Sequence, residues 1–201
     1  EWIRKIPEEH RNNSAFLCES IGLSALQVGD LNLATQEFEK AKVVYGIQKD
    51  YGALNRIEYY SADVKLDKGE ISPEDFLKTA HKVVTWSYKH NEILFGSQVE
   101  LRLIQVGQTI AQKYSNLLRE LLERSETLVK KLETLGTDYD LVRAKVLASQ
   151  AHLVMQIVTF GFEHDVSKVL LPEKLGYPFG LDERVEQGKR AIQGFHIVFD
   201  L

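Results

Sequence analysis

The chain has 201 residues, of which 44% are hydrophobic and 27% are charged, and its formal net charge is −4 at pH 7. This length suits one sizeable core or one elongated helical array, and the ordinary aromatic content argues against intrinsic disorder. Nucleic-acid binding needs a concentrated positive field. The sequence shows no such field, so we expect no direct nucleic-acid partner.

Cysteine and methionine usage bear on the compartment and the origin of the chain. Cys18 is the only cysteine, which excludes an intrachain disulfide and favours the cytoplasm or another reducing intracellular compartment. No apolar run reaches the roughly 18 residues of a membrane span, so we expect no membrane association. Met155 is the only methionine and the chain begins at Glu1, which suggests a fragment of a larger protein.

After a polar lead-in at residues 1–12, hydrophobic periodicity predicts four helices in the first part of the chain. They cover residues 16–27, 33–47, 53–66 and 73 to about 88. The second helix carries one apolar stripe, made by Ala34, Phe38, Ala41 and Tyr45. Ser72 should cap the fourth helix, because its hydroxyl can accept from first-turn amides and Pro73 suits the first helical position.

Residues 92–135 contain no proline, and apolar residues recur there at heptad-like positions. One long helix, or two helices with a break near Ser125, would both fit this pattern. Arg124 and Lys131 interrupt one apolar seam. We predict a solvated outer face for two i,i+4 charge pairs, Glu120/Arg124 and Glu126/Lys130.

The last part of the chain, residues 138–201, predicts a buried helix, a loop and a C-terminal capping helix. Residues 139–163 are apolar on nearly all sides, which is typical of a helix at the centre of a bundle. His152 lies within this helix, and we expect a hydrogen-bonded core histidine. Residues 166–181 contain two prolines and two glycines and predict a loop, and residues 182–193 predict the last helix.

Signatures of catalysis and metal binding are missing from the sequence. It contains no GxSxG, GxxxxGK[ST], GxGxxG or HExxH motif. No two of its six histidines lie three or four residues apart, so helical spacing supports no metal site. Cys18 falls on the apolar side of a helix, where a small buried residue is expected rather than a nucleophile. We therefore expect no catalytic residues, no metal and no cofactor.

One stretch follows the pattern of a known helical repeat. Its residues are Cys18, Ile21, Gly22, Ala25, Ala34 and Phe38, with Ala41 three further on. Their spacing is similar to that of the tetratricopeptide repeat, which reads W-x2-L-G-x2-Y and then A-x3-F over about 34 residues. Gly22 and Ala34 are small where two helices would approach closely, and Phe38 would fill the space between them. Residues 15–48 thus resemble one tetratricopeptide repeat, and residues 51–90 resemble a second, divergent unit.

This resemblance implies an all-α fold in which antiparallel helix hairpins stack as a right-handed superhelix, an α-α solenoid, over one domain at residues 1–201. Family geometry would turn one helix of each hairpin toward a concave groove. The expected groove residues are Phe16, Glu19, Leu23 and Leu26 on the first unit, and Arg56, Tyr59, Asp63 and Leu66 on the second. Tyr59 and Tyr60 are adjacent, so one of the two must point away from the hairpin interior.

The function that the resemblance implies is protein–protein interaction. We expect a scaffold or oligomerisation domain that binds a protein or peptide in the groove, with a homo-oligomer as one form of such binding. Two alternatives stay open at this point. One is a helical ligand-sensing domain of a multidomain signalling or transcription regulator, and the other is an all-α enzyme whose site is built from distant helices.

Overall fold

The computed structural model describes residues 13–111 and 115–167, with side chains at 13–111 and 117–156. Within these residues the chain is entirely helical and contains no strand, which confirms the all-α class for this part. The helices are α1 (Ala15–Gln27), α2 (Leu31–Gln48), α3 (Tyr51–Asp67), α4 (Pro73–Lys89), α5 (Ile93–Ile110), α6 (Ser115–Glu133) and α7 (Asp140–Ser167), with a 3-10 turn at Thr137–Tyr139 before α7. The predicted lead-in at 1–12, most of the predicted loop at 166–181 and the last helix at 182–193 lie outside the described residues.

The chain divides into two compact units, Glu1–Trp86 and Ser87–Leu201. The division falls inside α4, so one helix contributes residues to both units. A continuous superhelix over the whole chain stays a prediction.

Short polar side chains cap the N-termini of helices in the first unit, as expected from the sequence. The carboxylate of Asp30 accepts from the Leu33 amide at 3.0 Å at the start of α2. Ser72 caps α4, because its Oγ accepts from the Asp75 amide at 3.1 Å. Such caps satisfy amides that have no partner within the helix. Gly29 has φ +78° between α1 and α2, a conformation that suits glycine in a tight turn.

The core of the first unit lies between antiparallel helices. The predicted stripe of α2 is buried as expected, with Ala34, Phe38 and Ala41 fully enclosed. The Phe38 ring faces Gly22 of α1, and it stacks on Tyr60 of α3 with a centroid distance of 5.5 Å. α4 then packs on the other side of α3 through Phe76, whose ring lies 6.1 Å from that of Tyr59.

Residues 92–135 of the second unit form two helices, one of the two alternatives that the sequence left open, but the break is not near Ser125. α5 ends at Ile110 and α6 begins at Ser115. Ser125 is fully buried in the middle of α6, where its hydroxyl donates to the Leu122 carbonyl at 2.7 Å. That bond satisfies the hydroxyl within the helix, so a serine at this place does not interrupt it. Gly107 lies against Leu121, which lets α5 and α6 approach closely.

Over residues 140–156, where its side chains are described, α7 has one buried side and one exposed side, whereas its composition led us to expect a helix at the centre of a bundle. Val146, Leu153 and Val154 are enclosed, whereas Leu141 and Met155 are 69% and 45% exposed. His152 is exposed and is not the core histidine that we expected. The cause is that α5 and α6 cover one face of α7, and apolar composition alone does not say which faces have neighbours.

Candidate functional site

The eight predicted groove residues lie in three environments. Phe16 is strongly exposed, at 71%. Glu19 and Tyr59 are buried, at 7% each. The other five are half-buried, namely Leu23, Leu26, Arg56, Asp63 and Leu66.

Glu19 and Arg56 are the pair of predicted residues that the structure brings into direct contact. The Arg56 Nε donates to Glu19 Oε1 at 3.1 Å, which joins α3 to α1. Tyr45 of α2 donates its hydroxyl to the other oxygen, Oε2, at 2.5 Å. A buried carboxylate needs such partners, because burying an unpaired charge is very costly. The Glu19 carboxylate of α1 therefore links α2 and α3 through hydrogen bonds.

The charge of Glu19 also affects the tyrosine. Burial raises the pKa of Tyr45 above its usual range, and the hydrogen bond to Glu19 and the carboxylate charge raise it further. Tyr45 is expected to remain a neutral hydrogen-bond donor at physiological pH. The sequence placed Tyr45 on the core stripe of α2, but its link to Glu19 depends on how α1 lies against α2.

The adjacent tyrosines of α3 have different further neighbours, although their own rings lie 5.4 Å apart. Tyr60 faces the α1–α2 hairpin and stacks on Phe38. Tyr59 lies against Phe76 of α4. Its ring is therefore part of the α3–α4 packing and not of an open groove floor.

The part of the predicted groove that remains accessible is a mixed surface on α1 and α3. Phe16, Glu19 and Leu23 are spaced by three and four residues and share one side of α1. Arg56 reaches this side from α3, and 29% of its side chain is exposed. An exposed aromatic ring beside a partly exposed guanidinium can receive an apolar side chain together with a carboxylate.

Cys18 is the small buried residue that the sequence predicts. It is fully enclosed between α1 and α2. Burial raises the pKa of the thiol, and the nearby Glu37 carboxylate raises it further. Glu37 is in turn paired with Lys40 at 2.7 Å. A thiol with a raised pKa is a poor nucleophile, so these contacts favour a packing role.

The second unit contains a polar cluster that the sequence reading missed. Arg124 of α6 donates to Glu100 of α5 at 3.2 Å, and both side chains are mostly buried. Tyr88, at the end of α4, donates to the other Glu100 oxygen at 2.5 Å. The Lys131 Nζ lies 3.0 Å from the centre of the Tyr88 ring. The expectation of a solvated outer face was therefore wrong for Arg124.

The cluster has one signal in the sequence and a clear electrostatic effect. Arg124 and Lys131 are seven residues apart and interrupt an apolar seam, so both lie on the same side of α6. Burial lowers the pKa of Lys131 and raises the pKa of Tyr88. Arg124 faces the Glu100 carboxylate, and Lys131 faces the Tyr88 ring. These contacts join α4, α5 and α6 within this unit.

Among residues 13–111 and 117–156, no group of three or more histidine, cysteine or acidic side chains is arranged to hold a metal ion. None of the helices in the described ranges has the length and hydrophobicity needed to span a bilayer.

Comparison with known proteins identifies no relative. No protein-family model, no curated protein and no solved structure matches the chain. The likeness to tetratricopeptide repeats therefore stays a prediction that rests on the residues of the first hairpin.

Proposed function

We propose that this chain is a protein–protein interaction module whose partner lies along the face shared by α1 and α3. The observation that carries the proposal is the contact between Glu19 and Arg56, which brings Arg56 of α3 to the side of α1 that carries Phe16. Phe16 lies one turn before Glu19 on the same side of α1 and is 71% exposed. Both helices thus contribute to one surface that has an aromatic ring and a cation.

The energetics favour a segment that covers Phe16. Removing an exposed large apolar side chain from water contributes about 1.5–3 kcal/mol. Arg56 supplies a charged hydrogen-bond donor next to it, which favours a partner carboxylate. Aromatic and arginine side chains are the types that most often dominate binding energy at protein interfaces.

Two finer features belong to the same proposal. Stacking of the helix hairpins as a right-handed α-α solenoid would make the α1–α3 face concave, as in tetratricopeptide repeats. A partner of this kind is a protein or peptide, and a second copy of the chain is one such partner. A reducing intracellular compartment suits the single thiol, Cys18.

Site-specific photocross-linking tests the proposal. A photoreactive phenylalanine analogue would be placed at position 16 of the full chain, and in a control at Val28, which is 81% exposed after α1. Position 16 should cross-link to a discrete partner and position 28 should not. Equal cross-linking at both positions would contradict the proposed face.

The partner identified in this way then allows a quantitative test. With the purified partner, Phe16→Ala should weaken binding about tenfold or more, whereas Val28→Ala should leave affinity unchanged. Both positions are exposed, so neither variant should shift the melting temperature appreciably. A Phe16→Ala variant that keeps full affinity would exclude Phe16 as an anchor.

A further inference from the structure

The outward side of α2 carries a second surface that the predicted groove does not include. Its residues recur at spacings of three, four, three and four, and we name this surface the outer seam: Leu33, Gln36, Lys40, Val43 and Ile47. It lies opposite the buried stripe that contains Phe38. Leu33, Val43 and Ile47 are 38%, 63% and 77% exposed.

This pattern is unusual for the solvent side of a helix. A surface helix normally places polar residues opposite its core stripe. Alternating spacings of three and four over two heptads are instead the pattern by which one helix packs along another. Tyr51, the first residue of α3, is 68% exposed at the same end as Ile47 and enlarges the apolar surface there.

Lys40 at the centre of the outer seam indicates what kind of helix would fit. Its side chain is 39% exposed, and its ammonium donates to Glu37 at 2.7 Å. The ammonium has three donor hydrogens and Glu37 accepts one of them, so a carboxylate opposite Lys40 can accept another, whereas a cation there would be repelled. Leu33 and Ile47 lie seven residues before and after it, so the seam is symmetric about this charge.

That symmetry argues against a second copy of the chain as the occupant. Two outer seams paired in register, whether parallel or antiparallel, would place Lys40 against Lys40 of the other copy. Like charges that face each other in an interface are destabilising. A helix with an acidic residue at its centre would instead add an ion pair to the apolar contacts.

We propose that the outer seam docks an amphipathic helix of another protein, with apolar residues at heptad positions and an aspartate or glutamate opposite Lys40. This surface is separate from the α1–α3 face, because Val43 and Ile47 point away from both neighbouring helices. A chain that binds one segment on each face would hold two proteins together.

Two labelled peptides test the proposal with the full chain. Both are helical, about three heptads long, with leucine at the heptad positions, and they differ only in a central glutamate or a central lysine. In fluorescence anisotropy, the glutamate peptide should bind about tenfold more tightly than the lysine peptide. Equal affinity for the two peptides, or no binding of either, would overturn the proposal.

Variants of the chain assign the binding to the outer seam. Lys40→Glu should reverse the preference between the two peptides, and Lys40→Gln should abolish it. Val43→Ser combined with Ile47→Ser should remove binding, whereas Val28→Ser should not. Retained binding in the double variant would contradict the proposal, provided that circular dichroism shows unchanged helix content.

The remaining outcomes separate this inference from the proposed function. Analytical ultracentrifugation at micromolar concentration should show a monomer. A dimer that Ile47→Ser dissociates would instead show that a second copy occupies the outer seam. Phe16→Ala should leave peptide binding at the seam unchanged. The outer-seam proposal can therefore be wrong while the proposal for the α1–α3 face is right, and the reverse is also possible.

Discussion

Two glycines in the first hairpin have opposite packing environments, although both are helical. A Cβ added to Gly22 would lie 2.5 Å from Cε1 and 2.7 Å from Cδ1 of Phe38. The Phe38 ring is fully buried and stacked on Tyr60, so it has little room to move. A Cβ added to Gly46 would meet nothing within 4 Å.

Gly22→Ala should therefore destabilise the protein, and Gly46→Ala should stabilise it. Overpacking costs about 1–3 kcal/mol, and the better helix propensity of alanine returns up to about 1 kcal/mol of this. We expect Gly22→Ala to lower the free energy of unfolding by about 1 kcal/mol or more. Gly46→Ala should raise it by about 0.5–1 kcal/mol. Urea denaturation measures both, and stabilisation by Gly22→Ala would contradict the observed packing.

The Tyr45 hydroxyl is a second single group with a measurable contribution. It is one of two donors to the buried Glu19 carboxylate. Hydrogen bonds to charged groups contribute about 1.5–3 kcal/mol. Tyr45→Phe should therefore cost about 2 kcal/mol at neutral pH, a loss that chemical denaturation can measure.

The raised pKa of Tyr45 also predicts a pH dependence. The folded state holds this proton more tightly than the unfolded chain, whose tyrosine titrates near 10.0. The stabilisation is fully present below that pH and is lost as the pH rises toward the folded pKa. The contribution should fall by about 1 kcal/mol between pH 10 and pH 11, because the unfolded tyrosine is half ionised at pH 10 and the limiting slope is about 1.4 kcal/mol per pH unit. Between pH 10 and 11, the free energy of unfolding should fall less in Tyr45→Phe than in the unsubstituted chain, and the difference should be this amount. Chemical denaturation measures both, and an equal fall in the two proteins would refute the role of Tyr45.

At the scale of helices, α5 and α6 show how charged residues can join elements. Arg124 and Glu100 are 18% and 12% exposed at the side chain, so their ion pair is shielded from water. Lys82 and Glu58 join α3 and α4 at a similar distance of 2.9 Å, but their side chains are 64% and 45% exposed. The two pairs differ mainly in burial, and burial decides how much an ion pair contributes.

A double-mutant cycle on each pair should separate them. Arg124→Met and Glu100→Gln should show a coupling free energy of about 1–2 kcal/mol, since each single change leaves a partly buried charge with fewer partners. Lys82→Met and Glu58→Gln should show about 0.5 kcal/mol or less. Equal coupling in the two cycles, measured by chemical denaturation, would contradict the role of burial.

At the scale of the whole molecule, the chain has two compact units with their own interiors. The connected core of the first unit includes Cys18, Phe38 and Ile57. The second unit has its own fully buried residues, among them Leu118 and Leu132 of α6. Units with separate cores can open separately, with different free energies.

Hydrogen exchange in a core variant should reveal this division. Phe38→Ala removes a fully buried ring and should cost about 3–5 kcal/mol in the first unit. Amides in α1–α3 should then exchange faster, while those of α6 keep their protection. Val43→Ala, on the same helix but 63% exposed, serves as the control and should change neither set. Equal loss of protection in α6 would show that the units unfold together.

The positions of the first four helices and the buried side of α2 could be predicted from the sequence alone. Those features depend on local spacing and on caps such as Ser72, which act within a few residues. Only the tertiary structure decided that α4 covers Tyr59, that Arg124 pairs with Glu100 and that His152 is exposed. The reason is that periodicity states which residues share a face of a helix. What faces them is set by packing between elements that are distant in the chain.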